Sequence, residues 1–169
     1  HMTVPYEFAC LTDDPNPITG VRTIYQRSAG YLKPWWHKVH MFDPNLPLSG
    51  RILYFDLDIK INDNINFLAT DFKDFTVIDS RPWKKTPSKA SFDFKFKLFN
   101  NTFLNTSIMR WSNSSDICKY FLTNKEKFIG DYGATDRFIY NEKLSYKHFI
   151  TDKISSWKEK KRTQSFYIM

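Results

Sequence analysis

The chain has 169 residues, of which 41% are hydrophobic, 18% aromatic and 25% charged. This composition excludes an intrinsically disordered chain, and the length suits one domain with a single hydrophobic core. The formal net charge of +7 favours an anionic partner, and charge alone does not choose among nucleotide phosphates, nucleic acid and an acidic membrane surface.

The sequence contains neither a signal peptide nor an apolar run of the roughly 18 residues that a membrane-spanning helix needs. We therefore expect a soluble, cytoplasmic protein without a transmembrane segment. Cys10 and Cys118 lie in apolar sequence and lack the spacing of metal ligands, so we expect both to be reduced core residues.

The predicted elements alternate between strands and helices. Short apolar or alternating runs bounded by turn formers predict strands, and apolar residues at helical spacing predict helices. In chain order these are strands at 6–11 and 21–25, a helix at 34–42, a strand at 51–55, a helical turn at 64–69, strands at 75–79, 92–98 and 103–111, and helices at 115–122 and 135–142. We expect the strand at 6–11 to be buried and Thr135 to cap the last helix. No internal repeat or linker divides the series, so we expect one folded body.

Two carboxylates, Asp56 and Asp58, follow an apolar run at 51–55 that is typical of a central parallel strand. Ligands of open α/β sheets bind at the carboxyl ends of the strands. Neighbouring carboxylates repel each other, and they become favourable when Mn²⁺ or Mg²⁺ takes oxygen ligands from them and from substrate phosphates. The pattern therefore predicts a divalent cation that neutralises a leaving diphosphate.

The chain resembles the GT-A glycosyltransferases. The resemblance rests on the order of several segments, none of which is decisive alone: 8–14, 35–38, the Asp56-Leu57-Asp58 strand, 105–111 and 155–158. It implies an α/β, GT-A (Rossmann-like) fold, with a mixed central sheet flanked by helices in a single domain over 1–169. The nucleotide and metal part would span about 6–80, and the acceptor and sugar part about 81–169.

The same resemblance implies a metal-dependent enzyme that moves a hexose-like sugar from a nucleotide-sugar, UDP-linked by analogy, to an unidentified sugar, lipid or protein acceptor. Lys38 is expected near the nucleotide, Asn105 and Ser107 in the sugar pocket, and Ser156 and Lys158 near the diphosphate. The full set of candidates for binding the donor is Asp13, Lys38, Asp56, Asn105, Ser107, Ser156 and Lys158. Asp56 could bind the ribose hydroxyls of the donor instead of the metal ion.

Asp136 is the nearest match to an acidic Gly-Asp-Gln-like motif of such enzymes, and Asp131 is the second. In an inverting enzyme Asp136 would act as the general base on the acceptor hydroxyl; its alternative role is that of an acid favoured by a helix N-terminus. His148 could complete the metal shell or be an ordinary surface or core residue. Trp35 and Trp36 could stack on sugar or base, and we expect at least one of them in the core.

The first strand and helix of a GT-A domain, which help to hold the nucleobase, have no counterpart before Tyr6, so the chain is a minimal version or a fragment. Two other functions remain open. Basic residues interleave with aromatic ones at 92–99, which also fits a nucleic-acid-binding domain, although the strand-end carboxylates oppose it and no nucleic acid is expected as partner. The third alternative is a degenerate transferase that binds nucleotide without turnover.

Overall fold

The computed structural model describes residues 2–26, 34–70, 74–82, 102–112, 116–149, 153–156 and 166–168. Their strands are β1 (Ala9–Thr12), β2 (Arg22–Tyr25), β3 (Arg51–Phe55), β4 (Ile59–Ile61), β5 (Thr76–Asp79), β6 (Leu104–Ser112), β7 (Lys147–His148), β8 (Ile154–Ser156) and β9 (Phe166–Ile168). Their helices are α1 (Ile117–Thr123), α2 (Lys125–Tyr132), α3 (Thr135–Asn141) and the 3₁₀ helices Pro34–Phe42 and Asn66–Ala69.

The main sheet has the order β3-β6-β5-β7. Strand β6 runs antiparallel to both β3 and β5, and β7 runs parallel to β5. The sheet is therefore mixed, and the predicted mixed α/β class is confirmed. Because β3, β5 and β7 point the same way, their carboxyl ends and the start of β6 share one edge of the sheet.

The prediction that 51–55 forms a central parallel strand is wrong. Within the described residues β3 is the outermost strand of its sheet, its neighbour is antiparallel, and β6 lies between β3 and β5. Ile52 and Tyr54 pack on one hydrophobic cluster, and Leu53 and Phe55 pack on the other. A continuous apolar run thus indicates that both faces of the strand are packed against other residues. It does not indicate where the strand lies in the sheet or whether its neighbours are parallel.

Two smaller sheets accompany the main one. Strands β1 and β2 pair in parallel, whereas β9 lies between β4 and β8, parallel to the former and antiparallel to the latter. The buried strand expected at 6–11 is wrong in its first half, because Tyr6 and Phe8 are each 65% exposed and the strand begins at Ala9. An apolar run in the sequence forms a buried strand only where other elements of the fold pack against it, and none of those described packs over Tyr6 and Phe8.

Hydrophobic clusters cover both faces of the main sheet. Alternate residues of a strand point to opposite faces, so Val77 and Met109 join the cluster that holds the helices, whereas Ile78 and Ile108 join the other cluster. Trp36 is fully buried in the first cluster and stacks on Phe121 at 5.1 Å between ring centroids. The expectation that at least one of the paired tryptophans belongs to the core is confirmed.

Two helix predictions need correction. Thr135 is the first residue of α3 and not its cap; its hydroxyl instead donates to the Trp35 carbonyl at 2.7 Å, which ties α3 to the Pro34–Phe42 helix. Helix α2 was not predicted, because its polar start gave no apolar periodicity, and it ends at Gly133, whose φ of 68° suits glycine.

The predicted strand at 92–98, with its basic and aromatic residues, lies outside the described residues. Among the described helices, none combines the length and the apolar character that crossing a membrane requires.

Candidate active site

A bulge in β6 shapes the shared edge of the sheet. Val77 of β5 pairs with Met109, but the next residue, Ile78, pairs with Asn105, so the β6 residues 106–108 bulge opposite β5. The Asn105 side-chain oxygen accepts from the Ser107 amide at 2.9 Å, and the Ser107 carbonyl accepts from the Asp56 amide at 2.9 Å. The bulge therefore joins the end of β3, and bulges commonly re-aim side chains beside functional sites.

Asp56 is held on both of its carboxylate oxygens. Lys38, from the Pro34–Phe42 helix, donates to Oδ2 at 2.7 Å, and the Tyr54 hydroxyl donates to Oδ1 at 2.7 Å. The Lys38 and Asp56 side chains are only 19% and 21% exposed, so their attraction is screened less than that of a surface pair.

The same lysine reaches the bulge and, through it, Asp136. Lys38 Nζ lies 3.5 Å from both the carbonyl and the hydroxyl oxygen of Thr106, and that hydroxyl donates to Asp136 Oδ1. Tyr54, Asp56, Lys38, Thr106 and Asp136 thus form one continuous polar network, which we call the edge network. It has two carboxylates and one ammonium group, so an ionised edge network is negative within a protein whose formal charge is +7.

Burial sets the protonation behaviour of two members of the edge network. The pKa of the Asp136 carboxyl is raised above its ordinary value, because burial disfavours the charged form more than Lys38 and the Thr106 hydroxyl favour it. The pKa of Tyr54 is raised well above its ordinary value by burial and then by the Asp56 carboxylate. Tyr54 therefore remains a hydrogen-bond donor at neutral pH, and Asp136 is a more basic carboxylate than a solvated aspartate.

Asp58 lies beyond a tight turn and faces solvent. The Ile59 amide donates to the Asp56 carbonyl at 3.2 Å, and Asp58 is exposed next to a fully exposed Leu57. Its carboxylate is near enough to contribute to the raised pKa of Tyr54. Of the acidic residues described at this edge, no three bring ligand atoms within 4.8 Å of one another. Asp56 and Asp58 carry oxygen ligands of the kind that Mn²⁺ and Mg²⁺ prefer, and both Asp56 oxygens already accept a hydrogen bond, one from Lys38 and one from Tyr54.

The other predicted residues are distributed more widely. Asn105 and Ser107 form the bulge, whereas Asp13 is exposed at the end of β1 and makes no hydrogen bond or ion pair with the edge network among the described residues. Ser156 pairs with Phe166, which pairs with Ile59, so the register places Ser156 two strands from the residue that follows Asp58. Lys158 lies outside the described residues.

His148 lies away from Asp56, on β7 and in register with Val77, with β5 and β6 between it and β3. Its pKa is lowered, first by burial and against the attraction of Asp79. Asp79 itself forms an ion pair with Arg81.

Sequence reasoning missed Tyr54 and Thr106 as members of the site. Tyr54 was read as part of an apolar strand, although residues two apart on a strand share a face and Tyr54 stands two before Asp56. Thr106 lay between two predicted residues, and in a regular strand it would have faced the other way. Only the bulge explains its position, and nothing in the sequence marks the bulge.

Comparisons with models of protein families, with curated proteins and with solved structures found no match. Function is therefore inferred from the edge network and from the sequence pattern around it.

Proposed function

We propose that the chain is a metal-dependent glycosyltransferase of the GT-A type, which moves a sugar from a nucleotide-sugar, UDP-linked by analogy, to an acceptor hydroxyl. One observation supports this most strongly: the edge network joins the aspartate at the end of β3 to a buried, more basic aspartate at the start of α3. A transferase needs both an anchor for a diphosphate and a base for the acceptor, and the edge network offers one carboxylate for each.

In this proposal Asp56 and Asp58 bind the cation, and Lys38 binds the diphosphate of the donor. A bound Mn²⁺ or Mg²⁺ would supply Lewis-acid stabilisation of the leaving diphosphate. Lys38 neutralises Asp56 in the free protein, and its flexible ammonium group can turn to a phosphate oxygen when the donor binds. Ser156, which lies two strands from Ile59 and is 4% exposed, is the proposed second contact to the same phosphates.

Asp136 is the proposed general base of an inverting reaction. The acceptor hydroxyl gives its proton to the Asp136 carboxylate, the acceptor oxygen bonds to the anomeric carbon, and the bond from that carbon to the diphosphate breaks. The Thr106 hydroxyl donates to one Asp136 oxygen and so fixes the orientation of the carboxylate. The raised pKa of Asp136 suits proton transfer better than that of a solvated aspartate.

The first test is thermal unfolding with Mn²⁺ and UDP together. A ligand that binds only the folded state raises the melting temperature, so we expect an increase for the native chain and little or none for Asp58→Asn. Asp63→Asn removes a nearby exposed carboxylate and should keep the full increase. Equal responses of both variants would refute the metal site.

Release of UDP from UDP-sugars, measured with and without Mn²⁺, separates an active transferase from one that binds without turnover. Metal-dependent hydrolysis that Asp58→Asn abolishes would support the transferase. Metal-dependent UDP binding without any hydrolysis or transfer would favour the degenerate form.

A further inference from the structure

Three residues of metal-binding type meet behind the edge network. His40 lies in the last turn of the Pro34–Phe42 helix, Asp43 directly follows the helix, and Cys118 lies in α1. One potential ligand atom from each lies within 4.8 Å of the other two. The sequence separates Cys118 from the other two by more than seventy residues, which is why no ligand spacing was recognised.

Each of the three has a ligand atom that is free to bind. The Cys118 thiol is unoxidised, and the residue is 1% exposed. Asp43 Oδ1 accepts from the Asn45 amide and side chain, both at 2.9 Å, which leaves Oδ2 without a hydrogen bond among the described residues. His40 Nε2 is buried and has no hydrogen-bond partner in the described part of the chain.

A buried nitrogen without a partner is costly, and it needs an explanation such as an ion or a water molecule. An imidazole binds a metal ion in its neutral form, through the ring nitrogen that carries no proton. A cation that binds the Cys118 sulfur takes it as the thiolate.

We propose that His40, Asp43 and Cys118 form a zinc-type site that fastens the Pro34–Phe42 helix to α1. Nitrogen, oxygen and thiolate ligands together match Zn²⁺ and not Mn²⁺ or Mg²⁺, which prefer oxygen. Three protein ligands leave a fourth position for water, and binding releases the Cys118 proton to solvent. Asp43 also lines a surface hollow of about 220 Å³.

The site would act on the edge network through the helix. His40 and Lys38 belong to the same 3₁₀ helix, so an ion that fixes the end of this helix to α1 also fixes the base of the Lys38 side chain. The ion itself is structural in this role, and the site does not depend on the proposed transferase activity.

Cobalt titration of the chelator-treated, full-length protein tests the site. We expect one equivalent of Co²⁺ to produce a thiolate-to-cobalt charge-transfer band that Zn²⁺ displaces. Cys118→Ser should abolish the band, Cys10→Ser should keep it, and Asp43→Asn should weaken Co²⁺ binding by at least about tenfold. Circular dichroism establishes that each variant is folded.

Absence of the band from the native protein, or a band of equal strength in folded Cys118→Ser, would overturn the proposal. The Asp43→Asn variant keeps the test decisive if Cys118→Ser does not fold, because Asp43 is partly exposed and its loss leaves no cavity in the core. The response to Mn²⁺ with UDP should persist in Asp43→Asn, so failure of the zinc-type site and failure of the transferase are distinguishable.

Discussion

Lys38 is the residue on which the electrostatics of the edge network depend. It is the cation bound to Asp56 in the free protein, at 2.7 Å, and it also lies near Thr106. The ammonium group and a divalent ion are both cations, so they repel each other when both contact the Asp56 carboxylate. In the proposed transferase Lys38 therefore competes with the ion, and the donor's phosphates would relieve that competition by giving the ammonium group another partner.

Lys38→Met should strengthen Mn²⁺ binding in the absence of nucleotide and weaken UDP binding in its presence. Removing the competing charge is expected to improve Mn²⁺ affinity by about tenfold, equivalent to about 1.4 kcal/mol. Isothermal titration calorimetry measures both affinities. Lys119→Met, an exposed change on α1, is the matched control and should alter neither; weaker Mn²⁺ binding by Lys38→Met would contradict the competition.

Asp136 predicts a pH dependence of stability with a definite sign. Its pKa is raised in the folded protein, so between the ordinary and the raised value the folded state binds a proton that the unfolded state releases. The contribution of Asp136 to the free energy of unfolding is therefore fully present below the ordinary aspartate pKa of about 3.9. It is lost as the pH rises through the raised pKa of the folded state.

Asp136→Asn removes the pH-dependent loss of stability, because asparagine does not ionise. The asparagine side-chain oxygen can still accept the hydrogen bond from the Thr106 hydroxyl. We expect the variant to be more stable than the native chain at neutral pH, with the difference shrinking as the pH approaches 4. Urea unfolding over a pH series measures it. A difference that is independent of pH would mean that the carboxyl titrates normally.

At the scale of elements, sequence patterns located most of the described strands and helices. They did not predict the properties that tertiary contacts determine, such as the strand order and the burial of individual side chains. The 3.6-residue spacing in the Pro34–Phe42 helix was enough to predict a helix, although it forms the tighter 3₁₀ type. The strand order was not predictable, because no pattern within β3 or β6 distinguishes the outer strand from the inner one, and only the pairing does. Two neighbouring tryptophans likewise look alike until the packing is known.

Trp36→Ala and Trp35→Ala form a matched pair on one helix. Trp36 is fully buried against aromatic rings of α1 and α3, so its loss leaves a cavity and should cost about 3–5 kcal/mol. Trp35 is 46% exposed, and its indole donates to the Gly133 carbonyl, so its loss should cost about 1 kcal/mol. Denaturant unfolding compares them, and equal costs would show that the core is placed wrongly.

At the scale of the whole molecule, distant parts of the sequence meet around Asp58. Strand β9, near the end of the chain, lies between β4, directly after Asp58, and β8. Ile154 of β8 is 3% exposed and belongs to the hydrophobic cluster on the face of the main sheet opposite the three α-helices. The position of Asp58 thus depends on packing that is remote in sequence.

Ile154→Ala should cost about 2–4 kcal/mol and loosen the three-stranded sheet. We expect faster hydrogen exchange at 59–61 and weaker Mn²⁺ binding, because Asp58 immediately precedes these residues. Leu122→Ala, on an exposed side chain of α1, should change neither quantity. Unaltered exchange at 59–61 in a destabilised Ile154→Ala protein would argue that β4 is held independently of β8.

The bulge in β6 separates the residues that pair with β5 from the residues that contribute to the edge network. Residues 106–108 lie outside the ladder with β5, while Ile78 and Val77 keep their partners on either side. Exchanging Thr106 therefore alters the hydrogen bond to Asp136 without removing a paired residue from the β5–β6 ladder. Under the proposed function, a library randomised at Thr106 and Ser107 is the way to search for variants with altered donor preference while the strand pairing is kept.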